Sequence, residues 1–288
     1  MIYKLLAVNI DGTLLQSNGR FSKATKEALE YVHSKGVIVA LVTSRNYQSC
    51  KKVAKSLKIN PMIIAAHGAY IGTSIDKPLF MKKLSEKTTK SVVQLLEGLA
   101  TPFKLNYEKK QVCNRVNMPE HFIGKAALYV SEQTMFSQQY VDSVSDYLND
   151  HQDHPLGIEA QFSSRREQEE CRTLIEQMFD DVSVILKDNG KVFIIPEGVG
   201  KWKGLDYLAQ HFKVHRRELV AIGDSDDDCD MILGAGVGVA MGSGSPSLRM
   251  QADWVTRGND DEGVSYMVKE LFRKQYQLQF LEKLNLLK

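Results

Sequence analysis

Three short polar stretches hold the residues that could do chemistry: Asn9-Ile10-Asp11-Gly12-Thr13, Thr43-Ser44-Arg45 and Gly223-Asp224-Ser225-Asp226-Asp227-Asp228. Each follows an apolar run (LLAVNI, VIVALVT and LVAIG) of the kind that forms a buried strand. In open parallel sheets, ligands bind beyond the carboxyl ends of the strands. Carboxylate oxygens with no His/Cys cluster beside them favour Mg2+. A lysine in KWKG, Lys201 or Lys203, would add positive charge for an anionic substrate, and a small hydroxyl such as Thr43 can donate to a phosphate oxygen. The set reads as metal-assisted phosphoryl transfer. Singly, each signal is weak. An Asp before Gly after a strand is often a turn residue, and an acidic run is often a solvated helix N-terminus. The combination in this order is what carries information.

The elements that must position these stretches follow from the apolar pattern. Residues 3–10 predict a strand. Ser22 caps a helix whose Ala24, Ala28, Leu29 and Val32 recur at helical spacing, and Gly36 closes it. Residues 37–43 are a β-branched run typical of a strand covered on both faces. Residues 46–57 predict a helix and 62–66 another strand, giving a β-α-β-α-β order and hence a parallel sheet. After about residue 82 the continuous runs fade. A helix is expected over SEKTTKSVVQLLEGLA, with Val92, Leu95, Leu96 and Leu99 on its apolar face. FKLNY and QVCNRV alternate like half-exposed strands, and residues 186–195 predict a hairpin around Asp188-Asn189-Gly190. From about 200 the first pattern returns: a helix with Leu205, Leu208, Ala209 and Phe212 on one face, strands at 219–224, 236–241 and 252–256, and an amphipathic helix in the tail QYQLQFLEKLNLL. The expected organisation is an α/β domain interrupted by an inserted α+β unit.

Composition narrows the class. The 288 residues carry 37 Lys+Arg against 35 Asp+Glu, with no basic stripe or acidic tail, so neither nucleic acid nor an anionic membrane is indicated as a partner. Cys50, Cys113, Cys171 and Cys229 form no CxxC pair, which suits reduced cytoplasmic thiols better than zinc. The N-terminal run is soon interrupted by charge and does not read as a signal peptide. No sequence feature sets the oligomeric state. A dinucleotide-binding oxidoreductase fits the opening β-α-β order but lacks a GxGxxG after the first strand.

The ordered motifs resemble those of the haloacid dehalogenase superfamily phosphatases of the Cof-type, class IIB capped branch. The family's DxDGTL stands here as Asn9-Ile10-Asp11-Gly12-Thr13-Leu14, its TGR as Thr43-Ser44-Arg45, and its NGA as His67-Gly68-Ala69. Its lysine setting stands as Gly198-Val199-Gly200-Lys201 and its GDxxND as Gly223 to Asp228. Its AMGNA stands as Ala240 to Gly244, and its late DGV as Glu262-Gly263-Val264. The resemblance covers nearly the whole chain. It implies a Rossmann-like parallel-sheet core, residues 1–81 and 197–288, with an inserted C2B-type cap over 82–196. It also implies an Mg2+-dependent phosphatase of small phosphorylated metabolites such as sugar phosphates. Asp11 would be the general acid and base. Thr43, Ser44 and Lys201 would bind the phosphoryl group. Asn9, Asp11, Asp224 and Asp228 would surround the metal, with Gly12, Arg45 and Asp227 in support.

The departure is Asn9. In the family this position is the aspartate that attacks phosphorus and forms an aspartyl phosphate. An amide is neutral, and its nitrogen lone pair is delocalised. Loss of a covalent nucleophile in another hydrolase costs roughly 10⁶ in turnover. Two readings therefore stand: a phosphatase whose activity is weak or lost, and a non-catalytic phosphate- or metabolite-binding or regulatory pseudo-phosphatase. One carboxylate is lost at 9 and one gained at 227, so Asp227 is a candidate to restore metal affinity, against the plain alternative that it begins a helix.

Overall fold

The computed structural model describes residues 2–73, 78–115 and 138–279. The chain forms two compact units. One is built from the residues up to Arg45, Ser49–Phe80 and the segment from Gly200 on; the other is Met81–Val199 with Asn46–Gln48.

The first unit is organised by β1 (Leu5–Asn9), whose five residues are all buried. It pairs in parallel with β2 (Ile38–Val42) on one side and β12 (Leu219–Gly223) on the other. With β3 (Met62–Ala65), β4 (Tyr70–Gly72), β5 (Phe80–Met81), β13 (Val237–Ala240) and β14 (Trp254–Val255), the sheet runs β14-β13-β12-β1-β2-β3-β4-β5. Parallel neighbours cannot be joined by tight hairpins and need crossovers. Here α1 (Lys23–Ser34) and α2 (Tyr47–Ser56) lie between β1 and β2 and between β2 and β3 in the chain. Ser22 caps α1 through the Thr25 N–H, which satisfies one of the four open donors of a helix start. Leu5, Leu6, Ala7 and Val8 are wholly out of solvent. A fully buried Val or Leu side chain contributes about 1.5–3 kcal/mol, so this strand anchors the sheet. Because β1, β2 and β12 are parallel and adjacent, Asn9, Thr43 and Asp224 emerge at one edge. β3 pairs antiparallel with β4, so the sheet is mixed at that side.

In the second unit the six strands run β10-β11-β9-β6-β7-β8: Val182–Leu186, Lys191–Pro196, Gly157–Gln161, Phe103–Asn106, Gln111–Asn114 and Gln138–Val141. All neighbours are antiparallel except β7 and β8. Helices α3 (Glu86–Gly98), α4 (Val144–Asp150) and α5 (Arg165–Met178) supply the rest, with a core that includes Val92, Leu96, Leu105, Val112, Ile158, Ile175 and Ile194. The hairpin at Asp188-Asn189-Gly190 forms as expected, Gly190 taking φ +83°.

Two expectations need correction, and part of a third lies outside the described residues. β6 and β7 are almost wholly buried rather than alternating, because they are flanked by β9 and β8 inside the sheet. Phe212 is 38% and Leu99 51% exposed. Each sits at the residue that ends its helix, where the helical period no longer fixes direction. Of the expected tail helix, residues 280–288 lie outside the described residues.

Candidate functional site at the strand tips

After β1 the chain turns tightly through Ile10–Leu14, with the Leu15 N–H closing on the Ile10 carbonyl at 3.0 Å. Gly12 takes φ +71°, and a Cβ there would stand 2.2 Å from Asp224 Oδ2. Only glycine permits both the left-handed backbone and the approach of Asp224. Across the edge, Ala66, His67 and Gly68 have φ of 48°, 54° and 93°. Successive left-handed residues are uncommon outside glycine. This turn returns N–H groups to the second tip, Ala66 to the Arg45 carbonyl at 2.8 Å and His67 to the Thr43 carbonyl at 3.2 Å.

Asn9 is 5% exposed and lies among acidic atoms. Its Oδ1 accepts the Ile10 N–H at 2.8 Å. Its Nδ2 donates to Asp224 Oδ1 at 2.8 Å, Asp228 Oδ2 at 3.0 Å and the Asp11 carbonyl at 3.2 Å. Thr13 Oγ1 adds a second donor to Asp224 Oδ1 at 2.8 Å. Burial first, then the neighbouring Asp228 carboxylate, push Asp224 up to about 6, against the pull of Thr13, Lys201 and Asn9.

Asp228 is fully buried. It accepts the N–H groups of Asp224 and Ser225 at 3.1 Å each, and Lys201 Nζ at 2.6 Å. Lys201 Nζ also lies 3.1 Å from Asp227 Oδ2. Burial pulls the ammonium down, but Asp228 and Asp227 more than offset it, and Lys201 ends above its ordinary value. Asp227 Oδ1 accepts Ser225 Oγ at 2.7 Å, and the buried His67 brings Nδ1 within 3.7 Å of Asp227 Oδ2. Asp11 points elsewhere. Its carboxylate takes a two-pronged pair from Arg45, Nε to Oδ2 at 2.7 Å and Nη2 to Oδ1 at 2.5 Å, and stays 55% exposed. Burial pulls the Arg45 guanidinium down, but the hydrogen bond and charge of Asp11 more than offset it, and Arg45 ends above its ordinary value.

The sequence-chosen residues therefore split. Asn9, Thr13, Asp224, Asp227, Asp228 and Lys201 form one cluster, while Asp11 and Arg45 form a separate pair beside it. Thr43 is fully buried, its Oγ1 accepting the Arg45 N–H at 3.1 Å, and Ser44 is half-buried next to it. Lys203 is exposed on α6 (Lys201–His211) and lies outside the cluster. Asp226 turns away to accept Ser245 Oγ at 2.5 Å. His67, which the sequence offered only within the His67-Gly68-Ala69 landmark, joins the cluster through Asp227. Its signal was a histidine directly after a buried strand and before Gly-Ala.

The fit of Mg2+ can be tested on the donors present. The cation would need oxygens from Asn9, Asp11, Asp224 and Asp228. Asn9 offers its nitrogen on that side, because its oxygen is taken by the Ile10 N–H. An amide nitrogen does not ligate a hard cation. The two oxygens of Asp227 are engaged by Lys201 and Ser225, so it does not replace the lost ligand. Among the described residues, no three His, Cys, Asp or Glu side chains are grouped so as to hold a metal ion. The residues present do not fit the group.

Residues 6–268 match the family model described as haloacid dehalogenase-like hydrolase. The chain is 41% identical over 286 residues to the stress response protein YhaX of Bacillus subtilis, covering 99% of each. It is 24% identical to the 5-amino-6-(5-phospho-D-ribitylamino)uracil phosphatase YwtE of the same organism, covering 95% of this chain and 99% of the relative. Among solved structures, a haloacid dehalogenase-like hydrolase from B. subtilis superposes with a TM-score of 0.81 at 22% identity, over 93% of this chain and 100% of that one.

Proposed function

We propose that this chain, which belongs to the Cof-type haloacid dehalogenase-like hydrolases, is a metabolite-binding or regulatory member that does not turn phosphate esters over through an aspartyl phosphate. One observation carries this. Asn9 stands where the family's DxDGTL motif, as it is matched here, has its first aspartate, and both ends of its amide are engaged, Oδ1 with Ile10 and Nδ2 with Asp224 and Asp228. Neither atom can attack phosphorus. The ligand class we assign is a small phosphorylated metabolite, in line with the relative named for a phosphorylated ribitylaminouracil. Thr43 and the cations Arg45 and Lys201 support it. Both cations are already paired with carboxylates, so affinity for a bare phosphate should be modest. Thermal shift with inorganic phosphate and glucose 6-phosphate tests the ligand class. A saturable shift that Thr43→Val removes supports it. No shift with either would remove it.

A second reading keeps slow hydrolysis by water, with Asp11 as the base. The observation that favours it is the half-exposed Asp11 carboxylate, which reaches solvent beside Arg45. Turnover that vanishes in Asp11→Ala would select this reading. We place the protein in the cytoplasm because its four cysteines are all free, as suits a reducing compartment. Among the described residues no helix is long and apolar enough to cross a membrane.

A further inference from the structure

We infer that Asn9 makes the acidic cluster of this chain independent of a divalent cation: its amide nitrogen holds together, by hydrogen bonds, the oxygens that a cation would otherwise bridge. The inference does not rest on ligand binding or on turnover.

The orientation of the amide is chemically forced. The Ile10 N–H, 2.8 Å from the Asn9 side chain, requires an acceptor. Three oxygens on the opposite side, from Asp224, Asp228 and the Asp11 carbonyl, require a donor at 2.8–3.2 Å. Turning the amide over would set its oxygen against acceptors and its NH₂ against a donor, so both sides would lose their bonds. In a buried site such losses are not made up by water. The nitrogen therefore stands where an oxygen would have to stand to ligate Mg2+.

The other carboxylates are also provided for within the chain. Asp224 is donated to by Asn9 and Thr13 and hemmed in by Gly12. Asp228 has Lys201, Asn9 and two backbone N–H groups. Asp227 has Lys201 and Ser225. The charge gained at 227 thus pairs with the fixed ammonium of Lys201, and its other oxygen accepts from Ser225. The formal charge around the strand tips remains acidic, and this draws cations into the ionic atmosphere. Without oxygens in octahedral array it does not hold one by direct ligation.

Asn9→Asp reverses the arrangement. One new carboxylate oxygen can still accept the Ile10 N–H. The other then faces Asp224 and Asp228 with no donor between them, and a divalent cation is the natural bridge. The test uses the full-length chain after EDTA treatment and dialysis, with two readouts. The first is thermal unfolding with and without 5 mM MgCl₂. The second is Mn2+ binding to the parent chain followed by electron paramagnetic resonance, which needs no variant. We expect the parent to show the same midpoint in EDTA and in Mg2+, and to bind no Mn2+ below millimolar concentration. We expect Asn9→Asp to melt lower than the parent in EDTA, to regain stability in Mg2+, and to bind Mn2+ at least about tenfold more tightly. A parent that binds Mn2+ in the micromolar range, or is stabilised by Mg2+ as much as the variant, overturns the inference. So does a folded Asn9→Asp that shows no response to either metal. If the variant does not fold, the parent Mn2+ titration alone decides.

Discussion

Lys201 Nζ lies 2.6 Å from Asp228 Oδ1, and both side chains are shut off from solvent, at 3% and 0% exposure. The ammonium also serves Asp227 at 3.1 Å. Removing one member of a buried pair leaves the other charged and unpaired, a loss of about 3–5 kcal/mol. Lys201→Ala should therefore lower the urea midpoint well beyond what a surface lysine would. Lys203→Ala, on the exposed side of the same helix, should change it by less than about 0.5 kcal/mol. Equal effects from the two variants would contradict the assignment of Lys201 to the cluster.

Gly12 makes a second point of sensitivity. Its φ of +71° is costly for an L side chain, and the added Cβ would meet Asp224 Oδ2 at 2.2 Å. Gly12→Ala should destabilise by about 1 kcal/mol or more. It should also displace Asp224 from Asn9, visible as altered amide shifts for the Asn9 side chain. Gly19, also at positive φ, has open space where a Cβ would go. Gly19→Ala should show the backbone cost alone and leave the Asn9 amide unmoved.

In the second unit, Glu159 sits 2.9 Å from Lys104 and 3.0 Å from Lys191. Burial by itself would raise its carboxyl. The two lysines more than offset that and hold it below its ordinary 4.5. A depressed folded value means stability that is fully present above the unfolded value and is lost as pH falls through the folded one. Unfolding at decreasing pH should show this loss beginning below about 4.5, and Glu159→Gln should flatten that limb. An unchanged acid limb in the variant would show that Glu159 contributes nothing to it.

The thiols give a simpler check. Burial pushes Cys113 and Cys171 up to about 11 and Cys50 higher still, while Cys229 is the half-buried one. A thiol with so little thiolate at neutral pH reacts slowly. Native protein at pH 7.5 should label first at Cys229, and at all four cysteines only in urea. Fast native labelling of Cys50 would contradict the packing around it.

Much of the first unit was legible because its strands are continuous apolar runs that stop at polar residues. The tips Asn9, Thr43 and Asp224 follow from that pattern alone. Choosing between Lys201 and Lys203 was also within reach: Lys201, Leu205 and Leu208 share one helical face, and all three are buried. What could not be read was where the Asn9 amide points. Its partners Asp224 and Asp228 lie 215 and 219 residues away, and the deciding contact is a backbone N–H that every residue possesses. The same limit hid the division of labour among the aspartates, since Asp11 turns to Arg45 and Asp227 to Lys201 only once the turns after each strand are in place. Phe212 and Leu99 misled for a local reason: the helical period was carried one residue past the point where each helix ends.

The central claim is that the amide at position 9 abolishes aspartyl-phosphate chemistry in an otherwise intact fold. Its most direct test is hydrolysis of p-nitrophenyl phosphate by this chain and by Asn9→Asp, side by side, with Mg2+ and with EDTA. The account predicts no turnover above background for the chain in either condition, and turnover for Asn9→Asp that requires Mg2+. Robust hydrolysis by the unaltered chain would contradict it.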